Sequence, residues 1–126
     1  MKTIKYLFMG ALMTVFSGSA MAQTSVNDAV NAIKTNKDKA AVASIVKATV
    51  KENKKNPKAL AAIGRAYLDV KDTASTRKYA DMSIALTNKM KTGKVGDGFM
   101  LMGDLEYYKD NPGAGAAMYQ NAYTFE

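Results

Sequence analysis

The sequence predicts an all-α fold built from a repeated helix-turn-helix unit, and three observations carry that prediction. The pattern Leu60-x-x-Ile63-Gly64-x-x-Tyr67 is echoed by Phe99-x-x-Met102-Gly103, which sets Gly64 and Gly103 thirty-nine residues apart. Ser83 and Ala122, in the segments that follow, keep the same offset. Apolar residues recur at intervals of three and four, and no stretch shows the alternation of a half-buried strand. Self-similarity at a period of this order is the signature of stacked helical repeats, in which each unit buries its apolar face against the next. About three units and six helices are expected.

The first residues bear on compartment. Lys2 and Lys5 precede a largely apolar run from Tyr6 to Phe16, and Ser17-Gly18-Ser19-Ala20-Met21-Ala22 ends in small residues at the spacing a signal peptidase requires. Residues 1–22 therefore read as an export signal cleaved after Ala22. The apolar run is well short of the roughly twenty residues that cross a bilayer. No Cys follows it to carry a lipid anchor, so no membrane insertion is expected after cleavage and the location expected is periplasmic or secreted.

Six helical segments follow in the repeat domain, residues 23–126. Ser25-Val26-Asn27-Asp28 places a hydroxyl three residues before a carboxylate, a helix start, and Val26, Ala29, Val30 and Ile33 then share a face up to Thr35-Asn36. The second helix spans about Asp38 to Asn53, with Ala41, Val42, Ile45, Val46, Ala48 and Thr49 on its apolar side. These two form a degenerate first unit, 25–54. Asn56 caps the third helix and Pro57 occupies its first turn, where a missing N–H is no loss. Leu60, Ile63, Gly64, Tyr67 and Leu68 follow at helical spacing. Asp72-Thr73 breaks this helix and caps the fourth, in which Tyr79, Met82, Ser83 and Leu86 point inward, completing a clear unit over 56–88. Residues 89–97, rich in Lys, Thr, Gly and Asp, read as a loop. A third unit over 98–126 restarts with Phe99, Met100, Met102, Leu105 and Tyr108, stops at Asp110-Asn111-Pro112-Gly113, and ends with a helix from Ala114 to about Phe125.

Composition narrows the chemistry. The chain has no Cys and no His, so disulfides, the usual zinc ligand sets and Ser-His or Cys-His nucleophile pairs are excluded. Asp104 and Glu106 are too close in sequence to share a helix face. Around Gly93-Lys94, Asn88 and Val95 stand where a phosphate loop needs Gly and a hydroxyl residue, so that motif is rejected. No catalytic residue, metal or cofactor is expected. Residues 23–80 carry twelve basic and five acidic side chains, against four and six in 81–126. Lys34, Lys37, Lys39, Lys47, Lys51, Lys54 and Lys55 make a solvated helical face, or a surface that attracts an anionic envelope component. Nucleic acid is not expected, because the lysine run lacks interleaved aromatics on which bases stack.

The combination of Asn56-Pro57, Leu60-x-x-Ile63-Gly64-x-x-Tyr67, Tyr79 and Ser83 resembles a tetratricopeptide repeat, and the whole is similar to small exported repeat proteins of Gram-negative anaerobes. Phe99, Met102, Gly103, Tyr119 and Ala122 match in the second copy, although Glu106 stands where Tyr67 stands in the first. Ala41, Ile45 and Ala48 give a weak third copy upstream.

The resemblance implies a right-handed superhelical stack whose concave face, lined by the first helix of each unit, holds a peptide or protein segment. Matched by register, that lining is Lys58, Ala61, Arg65 and Leu68, then Asp97, Met100, Asp104, Tyr107 and Tyr108. The function expected is a non-enzymatic interaction scaffold of the cell envelope; the alternative is a carrier or surface protein that binds an anionic envelope component through its basic first half. On the last helix, Met118, Ala122 and Phe125 form one stripe and Ala116, Tyr119 and Tyr123 another. One packs on its partner helix. The other reads as the seat of a missing repeat, a dimer or partner interface at Tyr119, Tyr123 and Phe125, or plain surface.

Overall fold

The computed structural model describes the backbone of residues 18–125 and the side chains of residues 25–125. The described residues fold as six helices without a strand: α1 (Gly18–Thr35), α2 (Lys39–Glu52), α3 (Pro57–Asp69), α4 (Thr73–Lys89), α5 (Asp97–Tyr108) and α6 (Pro112–Tyr123). The all-α expectation is met. The sequence reading of residues 1–17 as the start of an export signal lies outside the described residues.

Local chemistry sets the helix ends. Asn56 Oδ1 accepts the N–H of Ala59 and Asp72 Oδ1 that of Ser75, so two helix starts are capped where expected, and Asp38 Oδ1, at the expected start of α2, caps a third by accepting the N–H groups of Ala40 and Ala41. Lys71 and Asp110 both adopt the left-handed conformation, at φ 66° and 67°. In each turn the next N–H reaches back five residues, Asp72 to the Tyr67 carbonyl and Asn111 to the Glu106 carbonyl, at 2.9 and 2.8 Å. This is a Schellman closure made twice, at the repeat offset, without glycine.

Three boundaries and one expected burial depart from the sequence reading. Ser25 does not start a helix: α1 is already running from Gly18, and the Ser25 hydroxyl instead donates to Glu52 Oε1 of α2 at 2.7 Å. Ala48 is exposed, because α2 rests on α1 and barely touches α3, which leaves only Val42, Val46 and Thr49 buried on it. The loop is shorter than expected, Met90 to Gly96, with the Thr87 hydroxyl donating to the Val95 carbonyl. Pro112 begins α6 rather than ending a helix, in the same first-turn position that Pro57 takes in α3.

The stacking order is that of neighbouring pairs. α3 packs on α4 and α5 on α6; α4 and α3 both pack against α5, and α1 against both α2 and α3. One buried cluster joins Ala29, Ile33, Val42, Val46, Ile63 and Tyr79; a second joins Ala80, Leu101, Met102 and Leu105. Leu60, Ile63, Leu101 and Leu105 are fully buried, each a burial worth about 1.5–3 kcal/mol. Leu101 takes the inward place on α5, and Tyr108, expected on that period, is 52% exposed.

Glycine marks the crossings. A Cβ on Gly64 would lie 2.6 Å from Leu101 Cδ2 and 3.1 Å from Tyr79 Cβ, so the bare backbone there lets α4 and α5 approach α3 together. Across the α5–α6 crossing, Gly103 faces the Tyr119 ring and Gly115 faces the Tyr107 ring. Ser83 is wedged between units: its hydroxyl donates to the Pro57 carbonyl at 2.8 Å, and it lies against Gly98 of the next unit.

Candidate binding groove

A groove of about 500 Å³ opens between α3 and α5, closed at one end by the loop and the end of α6. Lys58, Ala61 and Arg65 line it from α3, Asp97 and Met100 from α5, as the register predicts. Spacing places the α3 residues together: Lys58, Ala61, Ala62 and Arg65 fall at i, i+3, i+4 and i+7 of one helix. Ala62 belongs to that same face, a signal the sequence already held. Val95 and Phe125 also line the groove, from the loop and from beyond α6, and only tertiary closure brings them there.

Other forecast residues lie elsewhere. Leu68 packs on the buried Ala80–Leu105 cluster, Tyr107 stacks on Tyr119 with ring centroids 5.4 Å apart, and Tyr108 points to solvent. Of the three residues expected on a C-terminal interface, Tyr123 is 62% exposed, whereas Tyr119 packs on Tyr107 and Phe125 stacks on Phe99 at 5.6 Å.

The groove is bridged by ion pairs at the repeat offset. Lys58 Nζ lies 3.3 Å from Asp97 Oδ2, and Arg65 Nη1 donates to Asp104 Oδ2. Lys34 and Asp69 make the corresponding link from α1 to α3 at 3.7 Å. Such partly exposed pairs are worth about 0–1 kcal/mol each, so they set the register between helices more than they stabilise it. Asp104 is used twice, because its other oxygen accepts the Tyr119 hydroxyl. That hydrogen bond, with desolvation and the carboxylate's own charge behind it, pushes the Tyr119 phenol up to about 12. Behind the groove, Arg77 Nη2 donates to Glu106 Oε2 at 2.7 Å and Asn111 Nδ2 to Oε1 at 3.1 Å. The Arg77 hydrogen bond first, then that of Asn111, holds the Glu106 carboxyl below its ordinary range. Glu106 thus replaces the Tyr67 aromatic of the preceding unit with an ionic tie to α4.

The groove therefore presents charge already balanced by the chain around a floor of Ala61, Ala62, Met100 and Leu101. Among the described residues no three acidic, His or Cys side chains gather as a metal site would require, and no helix is long and apolar enough to cross a membrane. Compared with protein families, curated proteins and solved structures, the chain matches none.

Proposed function

We propose that this chain is an exported, non-enzymatic interaction scaffold of the cell envelope, periplasmic or secreted, whose tetratricopeptide-like units form a right-handed superhelical stack and take a peptide or protein segment into the α3–α5 groove. One observation supports the reading: Lys58, Ala61, Arg65, Asp97 and Met100, which the tetratricopeptide resemblance assigns by register to a ligand-facing surface, share one open groove. An apolar floor between charged rungs suits an extended segment, which sets its side chains on the floor and its polar groups between the rungs.

The test is selection of random dodecapeptides displayed on phage against the chain, followed by titration of an enriched peptide with an Ala62→Trp variant that fills the floor. Enrichment with at least tenfold weaker binding to the variant is expected. An unenriched library, or equal binding by a variant whose circular dichroism melt is unchanged, overturns the reading.

Pairing of two copies through α6 belongs to the same proposal. Pro112–Tyr123 carries no Asp, Glu, Lys or Arg, and Tyr123 is exposed. Light scattering over a concentration series should show a dimer that Tyr123→Ser weakens; a monomer at every concentration removes this part.

A further inference from the structure

The first helix pair breaks the packing rule that the second obeys, and the break leaves a second groove. α4 lies along both α3 and α5, but α2 rests on α1 and barely reaches α3. Between α2 and α4 lie two adjoining cavities, of about 640 Å³ and about 500 Å³, which share Ala43, Tyr67 and Ser75. Together they follow α2 from Lys39 to Val50, roughly 17 Å at 1.5 Å per residue. That is the length of three helical turns.

The floor is apolar: Val42, Val46 and Val50 from α2, Tyr67 from α3, and Tyr79 and Met82 from α4. The rims are basic on both sides, with Lys37 before α2 and Lys39 and Lys47 on it, and Lys71 and Lys78 at the turn and along α4. Elsewhere this chain neutralises cations across helices, at Lys34, Lys58, Arg65 and Arg77. Among the described residues none of the five rim lysines has a carboxylate within 4.0 Å. The one acid in the lining, Asp72, is spent on the α4 cap, where it accepts both the N–H and the hydroxyl of Ser75. Lys78 Nζ lies 5.3 Å from the Tyr79 ring centroid, its charge resting over the floor.

The arrangement of charge selects the occupant. An amphiphile with a single anionic head needs its cations gathered at one end of an apolar slot. Here Lys37, Lys39 and Lys71 border the first cavity and Lys47 and Lys78 the second, so positive charge runs the length of the groove on both sides, which matches a segment that carries acids down both flanks of an apolar stripe. We propose that the α2–α4 groove docks an acidic amphipathic helix of a partner protein, about three turns long, with its apolar face on the half-buried Val50, Tyr67 and Met82 and its carboxylates between the lysine rims. This surface is separate from the α3–α5 groove and stands or falls without it.

The probe is a fluorescein-labelled 14-residue amphipathic peptide with Leu and Ile on one face and Glu on both flanks, titrated by anisotropy into the whole chain. Saturable binding is expected. It should weaken about tenfold or more in a Lys47→Glu, Lys78→Glu double variant, since two attractions become repulsions. Ala43→Trp, which fills the groove from an exposed position without changing charge, should abolish binding, and Arg65→Ala in the other groove should leave it unchanged. Circular dichroism melts establish that each variant is folded, and chemical-shift changes on the wild-type chain should centre on Ala43, Val50 and Tyr67. Absence of saturable binding, parent-like binding by the folded double variant or by Ala43→Trp, shifts centred elsewhere, or capture by phosphatidylglycerol vesicles that the peptide does not displace would each overturn the proposal.

Discussion

Asp104 holds two helices with one carboxylate, taking Arg65 from α3 and the Tyr119 hydroxyl from α6. Ionising Tyr119 breaks its bond and sets two negative charges together, so its folded pKa, pushed up to about 12, stands above the ordinary 10.0. A group raised in this way contributes fully below its unfolded value and loses the contribution as pH climbs to the folded one. A hydrogen bond to a charged acceptor is worth about 1.5–3 kcal/mol, and partial exposure brings this one to about 1 kcal/mol. Urea titration should therefore show Tyr119→Phe less stable by about that amount at neutral pH, with the difference shrinking above pH 10 and gone by about 12. Glu106 has the opposite sign. Arg77 and Asn111 lower its pKa from the ordinary 4.5, so its contribution is present above that value and lost as acid carries pH through the folded one. The same titration should find Glu106→Gln destabilised at pH 7 and level with the parent in strong acid.

Helix pairs are organised by where glycine lets them cross. A Cβ at Gly103 would come within 2.5 Å of the Tyr119 ring, whereas one at Gly113 meets nothing within 4 Å. Gly103→Ala should therefore lower stability by about 1–3 kcal/mol through overpacking. Gly113→Ala, in the open first turn of α6, should be neutral or raise it by up to about 0.5 kcal/mol, as alanine favours helix. Thermal melts of both variants check the contrast. The small residue at the crossing was legible in the sequence because Gly64 and Gly103 share an offset, and the Asn56 and Asp72 caps were legible because capping is local. Ser25 misled for the same reason. A hydroxyl followed by a carboxylate also occurs inside a helix, and only the position of Glu52 on α2 shows where the hydroxyl is spent. Leu101 was missed because the helical period was laid through Phe99 and Met102, while the face that α5 buries is fixed by α3 and α4 together.

Stability across the molecule should follow its nearest-neighbour packing. α2 has one substantial neighbour, whereas α4 is packed on both α3 and α5. In such a stack, local opening is easiest where neighbour contacts are fewest. Amide hydrogen exchange should show α2 protected less than α4, with α3 and α5 slowest; equal protection throughout would mean that the chain opens only as a whole. Two grooves at opposite ends of α3 could not be read from composition, because the α2–α4 groove exists by virtue of a contact that is missing. The lysines on its rim were visible in the sequence as a basic half. Their pairing across an apolar floor was not.

The exchange of tyrosines between Gly103 and Gly115 has an evolutionary consequence. Each glycine is the space for a ring on the other helix, so the four positions form two reciprocal couples, Gly103 with Tyr119 and Gly115 with Tyr107. A step at one member of a couple is penalised until its mate has changed, and a smaller residue at 119 would first relax the constraint on 103. The last hairpin can thus drift only through ordered double replacements, a path much narrower than the one open to α2.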